Sequence, residues 1–135
     1  MITIYTDGSA RQKDGVWVGA YAFALYRDGK ALYQESKVVV PATVNVCELL
    51  AITDAIHTCQ AKYPNEELEI YSDSQYAVNG FKSPLAIKTN KPYWQLLNNI
   101  KCNLPITIEH VKGHDQDVKN KHVDSLAKSK LRSQF

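Results

Sequence analysis

Two hydrophobic periods divide this chain, and their order is the strongest constraint on its fold. Up to Pro41 the apolar residues lie in strand-like runs; beyond it they recur at helical spacing, interrupted by short alternating stretches. Ile2 to Thr6 is a brief β-rich run. Val16 to Tyr26 (VWVGAYAFALY) is rich in valine, alanine and aromatics, with Gly19 as its one breaker. Arg27-Asp28-Gly29-Lys30 holds the Asp-Gly pair of a tight hairpin turn, and Ala31 to Val40 returns until Pro41 stops it. Together these predict a three-stranded antiparallel meander.

Thr43 then suits a helix cap. Val46, Leu49, Leu50, Ile52, Thr53 and Ile56 follow at the spacing of a helix facing a core, which ends at Tyr63-Pro64-Asn65. Leu68, Ile70 and Ser72 alternate as a strand, followed by a brief helical turn ending near Gly80. Pro92 fits the first turn of a helix carrying Trp94, Leu97 and Ile100. Ile106, Ile108 and His110 form a last strand, and Val123, Leu126, Ala127 and Leu131 stripe a last helix. The order βββαβααβα predicts an α/β fold with one five-stranded mixed sheet and helices on both faces. A length of 135 residues with no linker or repeat predicts a single domain over 1–135.

Composition bounds the partners. Sixteen basic against fourteen acidic residues leave a net charge of +2, so any claim on nucleic acid must rest on where charges sit. Three cysteines, Cys47, Cys59 and Cys102, are odd in number and never spaced as CxxC. That pattern argues against a disulfide framework or zinc cage and for a reducing compartment. The start, MITIYTDGSA, lacks the basic and apolar stretches of a secretion signal, and no apolar run approaches a membrane span. A cytoplasmic protein without a membrane partner is expected.

Four carboxylates carry the chemistry. Asp7 ends the first strand in TDGS and Asp73 ends the fourth in YSDS. If those strands are parallel neighbours, both emerge at the carboxyl edge of the sheet, where α/β folds bind ligands. Glu48 lies in the opening turns of the long helix and Asp124 on the last helix. Each alone has an ordinary structural reading: a turn, a dipole-complementing charge, a cap, a solvated helix residue. As one cluster they would repel unless cations sat between them, and all-oxygen ligation selects hard ions such as Mg²⁺ or Mn²⁺. Two such ions serve in-line phosphodiester cleavage.

TDGS at Thr6–Ser9, Glu48 in NVCELLA, YSDSQYAV at Tyr71–Val78 and EHVKGHDQDVKNKHVDSLA at Glu109–Ala127 resemble, in order and spacing, the type 1 ribonuclease H family. The resemblance implies the ribonuclease H-like fold and an endonuclease acting on the RNA strand of RNA–DNA hybrids. It implies two Mg²⁺ ions, with Mn²⁺ as a substitute, and ends left as 5′-phosphate and 3′-hydroxyl. It marks Asp7, Glu48, Asp73 and Asp124 as metal ligands and catalytic groups, with Asp7 bridging both ions. His114 resembles the family's mobile-loop histidine, which assists proton transfer or product release. Gly8, Ser9, Thr43, Asn45, Gln75 and Asn120 fall at substrate-contacting positions, Thr43 at one that holds a DNA phosphate. A monomer is expected.

Two departures stand out. Val44 occupies the place where the family commonly has a minor-groove-reading asparagine, with Asn45 next to it. Gly80 to Tyr93 (GFKSPLAIKTNKPY) is short and lacks the Trp-rich basic insertion of many cellular members, as in compact retroviral, archaeal or phage-borne forms. Weaker hybrid binding is expected. Lys119, Lys121, Lys128, Lys130 and Arg132 of the last helix either meet phosphates or form a solvated face. The rival readings are a junction resolvase or integrase, opposed by VKGHD and SDSQ, and a non-catalytic module, opposed by all four carboxylates being present.

Overall fold

The computed structural model describes residues 1–101, 105–111 and 114–135, and side chains of these except 86 and 114–116. Its elements are β1 (Ile2–Lys13), β2 (Val16–Arg27), β3 (Lys30–Val39), α1 (Val44–Lys62), β4 (Leu68–Ser72), α2 (Gln75–Lys82), a 3₁₀ turn (Pro84–Ala86), α3 (Lys91–Lys101), β5 (Ile106–His110) and α4 (His114–Arg132). The sheet order is β3-β2-β1-β4-β5. β1, β2 and β3 form the antiparallel meander, while β4 runs parallel to β1 and β5 parallel to β4.

Alternation along the central strands explains why both faces are covered. Ile2 and Ile4 of β1, with Tyr21, Phe23 and Leu25 of β2, join the core under α1 and α3. Their neighbours Tyr5, Ala22, Ala24 and Tyr26 face Val123 and Ala127 of α4 on the other side. Aliphatic and aromatic side chains thus fill the α1 face, while the α4 face combines two alanines with Tyr5 and Tyr26. A strand buried on both faces reads as a continuous apolar run, which is why Val16 to Tyr26 showed no polar alternation. Asp28 and Gly29 have φ of 51° and 77°, the backbone of a primed two-residue hairpin turn.

Two elements exceed their sequence outlines. β1 does not end at Thr6 but continues to Lys13, because Asp14-Gly15 (φ 52° and 80°) forms a second hairpin turn that pairs Gly8–Lys13 with Val16–Tyr21. The brief turn after Asp73 is a helix of two turns, capped by the Ser74 hydroxyl, which accepts from the Ala77 N–H (3.1 Å). Cys47 and Cys59 are buried free thiols; Cys102 lies outside the described residues.

Candidate active site

The parallel ladder between β1 and β4 stops at Thr6–Ser72, and the next residue on each strand is an aspartate. Asp7 is therefore inside β1 rather than at its end, yet at the end of the parallel stretch, beside Asp73. Glu48 arrives from α1. Its approach depends on Gly8: a β-carbon there would sit 2.7 Å from the Glu48 backbone nitrogen, so only glycine lets the helix lie this near the strand. One carboxylate oxygen from each of Asp7, Glu48 and Asp73 lies within 4.8 Å of the others.

The Gly8 N–H donates to both Asp7 Oδ1 (2.9 Å) and Glu48 Oε1 (3.0 Å). That one amide ties down an oxygen of each, while Asp7 Oδ2 and Glu48 Oε2 stay buried with no hydrogen-bond partner among the described residues. Such orphaned charges are costly unless a cation serves them. Burial, followed by the charges of Glu48 and Asp73, holds the Asp7 carboxyl well above the usual carboxylate range. Burial and Asp73 likewise push Glu48 upward, against the lowering influence of the neighbouring Asp7 carboxyl and the Gly8 N–H. Asp73 is exposed and completes the open side of the cluster.

Asp124 on α4 lies near enough to Asp7 to raise its carboxyl further, and its Oδ2 pairs with Lys128 at 3.1 Å. It is outside the tight three-carboxylate group. Asn120, one helical turn earlier, buries its Oδ1 without a partner among the described residues. The Thr43 hydroxyl caps α1 by accepting from the Val46 N–H (3.4 Å), and Thr43 and Asn45 are exposed at the helix start. Ser9 follows Gly8 on β1, half-buried. Gln75 opens α2, its side-chain amide donating to Asn79 Oδ1 (2.7 Å). The His114 side chain lies outside the described residues.

The RNase H family profile matches residues 1–132. The chain belongs to the ribonuclease H family. Its sequence is 33% identical over 141 residues to the ribonuclease H of Francisella tularensis subsp. novicida, covering 93% of this chain and 88% of that one. Hydrolysis of the RNA strand of RNA–DNA hybrids is the function of the ribonuclease H family. The fold is similar to that of LC11-RNase H1 in complex with an RNA/DNA hybrid, with TM-score 0.83, 24% identity and 99% coverage of both chains. It is also similar to RNase H1 from the halophilic archaeon Halobacterium salinarum, with TM-score 0.75, 24% identity and 98% coverage of both.

One feature beside this site goes beyond the short first strand expected from Ile2 to Thr6: Ala10 to Gly15 extend β1 and its turn, and their Asp-Gly pair repeats the turn signal at Asp28-Gly29. That segment and the start of β2 project past the carboxylates next to the N-terminus of α1. The Lys119 ammonium lies over the Tyr26 ring (4.8 Å) and the Tyr5 ring (5.8 Å).

Proposed function

We propose that this chain is a metal-dependent endonuclease that hydrolyses the RNA strand of RNA–DNA hybrids, leaving 5′-phosphate and 3′-hydroxyl ends. The observation that carries this reading is the Asp7–Glu48–Asp73 cluster with its two orphaned oxygens. An all-carboxylate donor set fits two Mg²⁺ ions, with Mn²⁺ as substitute, and fits zinc poorly. Asp7, Glu48 and Asp73 are the ligands the geometry supports first, and Asp124 joins through Asp7. Bound ions supply the positive charge that activates an attacking water and stabilises the departing 3′-oxygen.

The chain's own residues do the rest. The Gly8 amide holds one oxygen each of Asp7 and Glu48, which leaves the other oxygen of each for a cation. Asn120 offers an unpaired carbonyl oxygen beside Asp124. Thr43, Asn45, Gln75, Gly8 and Ser9 surround the cluster as substrate contacts, and His114 serves proton transfer or product release. The domain covers 1–135 and works as a monomer. No helix among the described residues is long and apolar enough to cross a membrane, and the unpaired buried thiols support a cytoplasmic setting. A substrate panel tests the reading: hybrid should be cut in its RNA strand, duplex DNA spared and duplex RNA cut poorly. Equal cutting of single-stranded RNA would refute it.

A further inference from the structure

Trp17 is the one exposed tryptophan, 41% accessible, while Trp94 is 2% accessible. Its strand position fixes its direction. On β2, Gly19 faces α1, since a β-carbon there would meet Cys47 Sγ, and the Tyr21 hydroxyl donates to Asp54 of α1 (2.6 Å). Trp17 shares their parity and so stands on the α1 face, about 7 Å beyond Gly19. The Trp17 carbonyl accepts from the Ala42 N–H (3.1 Å), pinning it to the segment that leads into the helix.

Val44 opens that helix and is itself exposed at 42%. It lies three and four residues before Cys47 and Glu48, so it shares their helix face, one turn or about 5–6 Å nearer the open end. The indole and the isopropyl group are thus both placed on the α1 side of the sheet, at the end of the helix that carries Glu48. Asn45, three residues before Glu48 and four before Leu49, sits on the other flank. One side of the approach to Glu48 is apolar and the other polar.

We propose that Trp17 and Val44 form an apolar wall of the substrate groove that packs against a sugar of the bound hybrid and favours 2′-deoxyribose at that subsite. The wall is continuous with the cluster through the Val44–Glu48 turn, so a strand lying across the carboxylates is its occupant. A deoxyribose presents carbon-bound hydrogens to such a wall. A ribose there would bury a 2′-hydroxyl with nothing to accept or donate, which is costly. The proposal rests on the hybrid-hydrolysing reading and names a specificity determinant for it.

The test uses the wild-type protein, W17F, W17A and V44N with a labelled hybrid, and a set of hybrids with one sugar changed at each position in turn. In chelator, where cleavage is stopped, titrating hybrid should change the wild-type indole fluorescence and leave W17F, which reports only Trp94, almost unchanged. In Mg²⁺, W17A should raise KM roughly three- to tenfold with kcat within about twofold, the pattern of lost uniform binding. One position in the sugar scan should prefer deoxyribose in the wild type and lose that preference in V44N. Circular dichroism melting checks that each variant is folded. The proposal is overturned if saturating hybrid leaves wild-type fluorescence unchanged, or if W17A keeps the wild-type KM. It is equally overturned if the fluorescence follows protein concentration rather than hybrid, which would assign the wall to a second copy of this chain. A wild type that leaves hybrids uncut refutes the hydrolytic reading instead, and the chelator titration still decides the wall.

Discussion

Replacing Asp7 by asparagine should separate activity from stability. Asp7 is 3% exposed, and its oxygen lies within 4.8 Å of those of Glu48 and Asp73. At that distance, with an effective dielectric near 20, two like charges repel by roughly 3–4 kcal/mol. The metal-free protein escapes part of this by keeping a proton, as the raised Asp7 and Glu48 carboxyls record. A carboxyl raised in the folded state holds a proton that the unfolded chain releases. Its contribution to stability is therefore complete below pH ~4 and is lost as pH rises through the folded value, by up to about 1.4 kcal/mol per pH unit. Asp7→Asn removes that penalty and keeps the shape, so at pH 8 without metal it should be more stable by about 2–4 kcal/mol. For a domain of this size that is a Tm increase of roughly 5–12 °C. Cleavage should fall by at least ~10³-fold, the loss of a central metal ligand. Thermal melts at pH 5 and pH 8, with and without Mg²⁺, check both halves. The wild type should lose stability with pH and regain it with Mg²⁺, and Asp7→Asn should do neither as strongly. A variant melting at or below wild type at pH 8 would refute the electrostatic account.

Gly8→Ala forces a β-carbon to 2.7 Å from the Glu48 nitrogen, so kcat should fall at least about tenfold and the half-saturating Mg²⁺ concentration should rise. Gly80→Ala drives a methyl into the Trp94 ring, within 2.3 Å, and should cost about 1–3 kcal/mol in denaturant melts while the remaining folded protein cuts normally. A basic, Trp-containing helix grafted between Ser83 and Ile87, which spares the Tyr76 hydroxyl bonds to Asn90 and Trp94, should lower KM and steepen its dependence on KCl with kcat nearly unchanged.

The order of elements was legible because apolar periodicity reports burial directly, and the doubly buried β2 and the helix from Thr43 both announce themselves that way. The length of β1 was not, since Gly8–Lys13 is polar and pairs only because Asp14-Gly15 reverses the chain. Asp7 and Asp73 could be placed at one sheet edge from strand order alone. The closeness of Glu48 could not, because it depends on how near α1 lies to β1, a distance set by the missing side chain of Gly8. The setting of Lys119 was also not legible: its ammonium lies over Tyr26 and Tyr5, which are far from it in sequence.

Cleavage of one RNA–DNA hybrid, labelled in turn on each strand while Mg²⁺ is titrated from zero, decides whether the carboxylate cluster works as a metal-dependent hybrid nuclease. Without metal there should be no product; with Mg²⁺, internal cuts should be confined to the RNA strand and leave ends bearing 5′-phosphate. Cutting that persists in chelator, or that falls on the DNA strand as readily as on the RNA, would contradict that role.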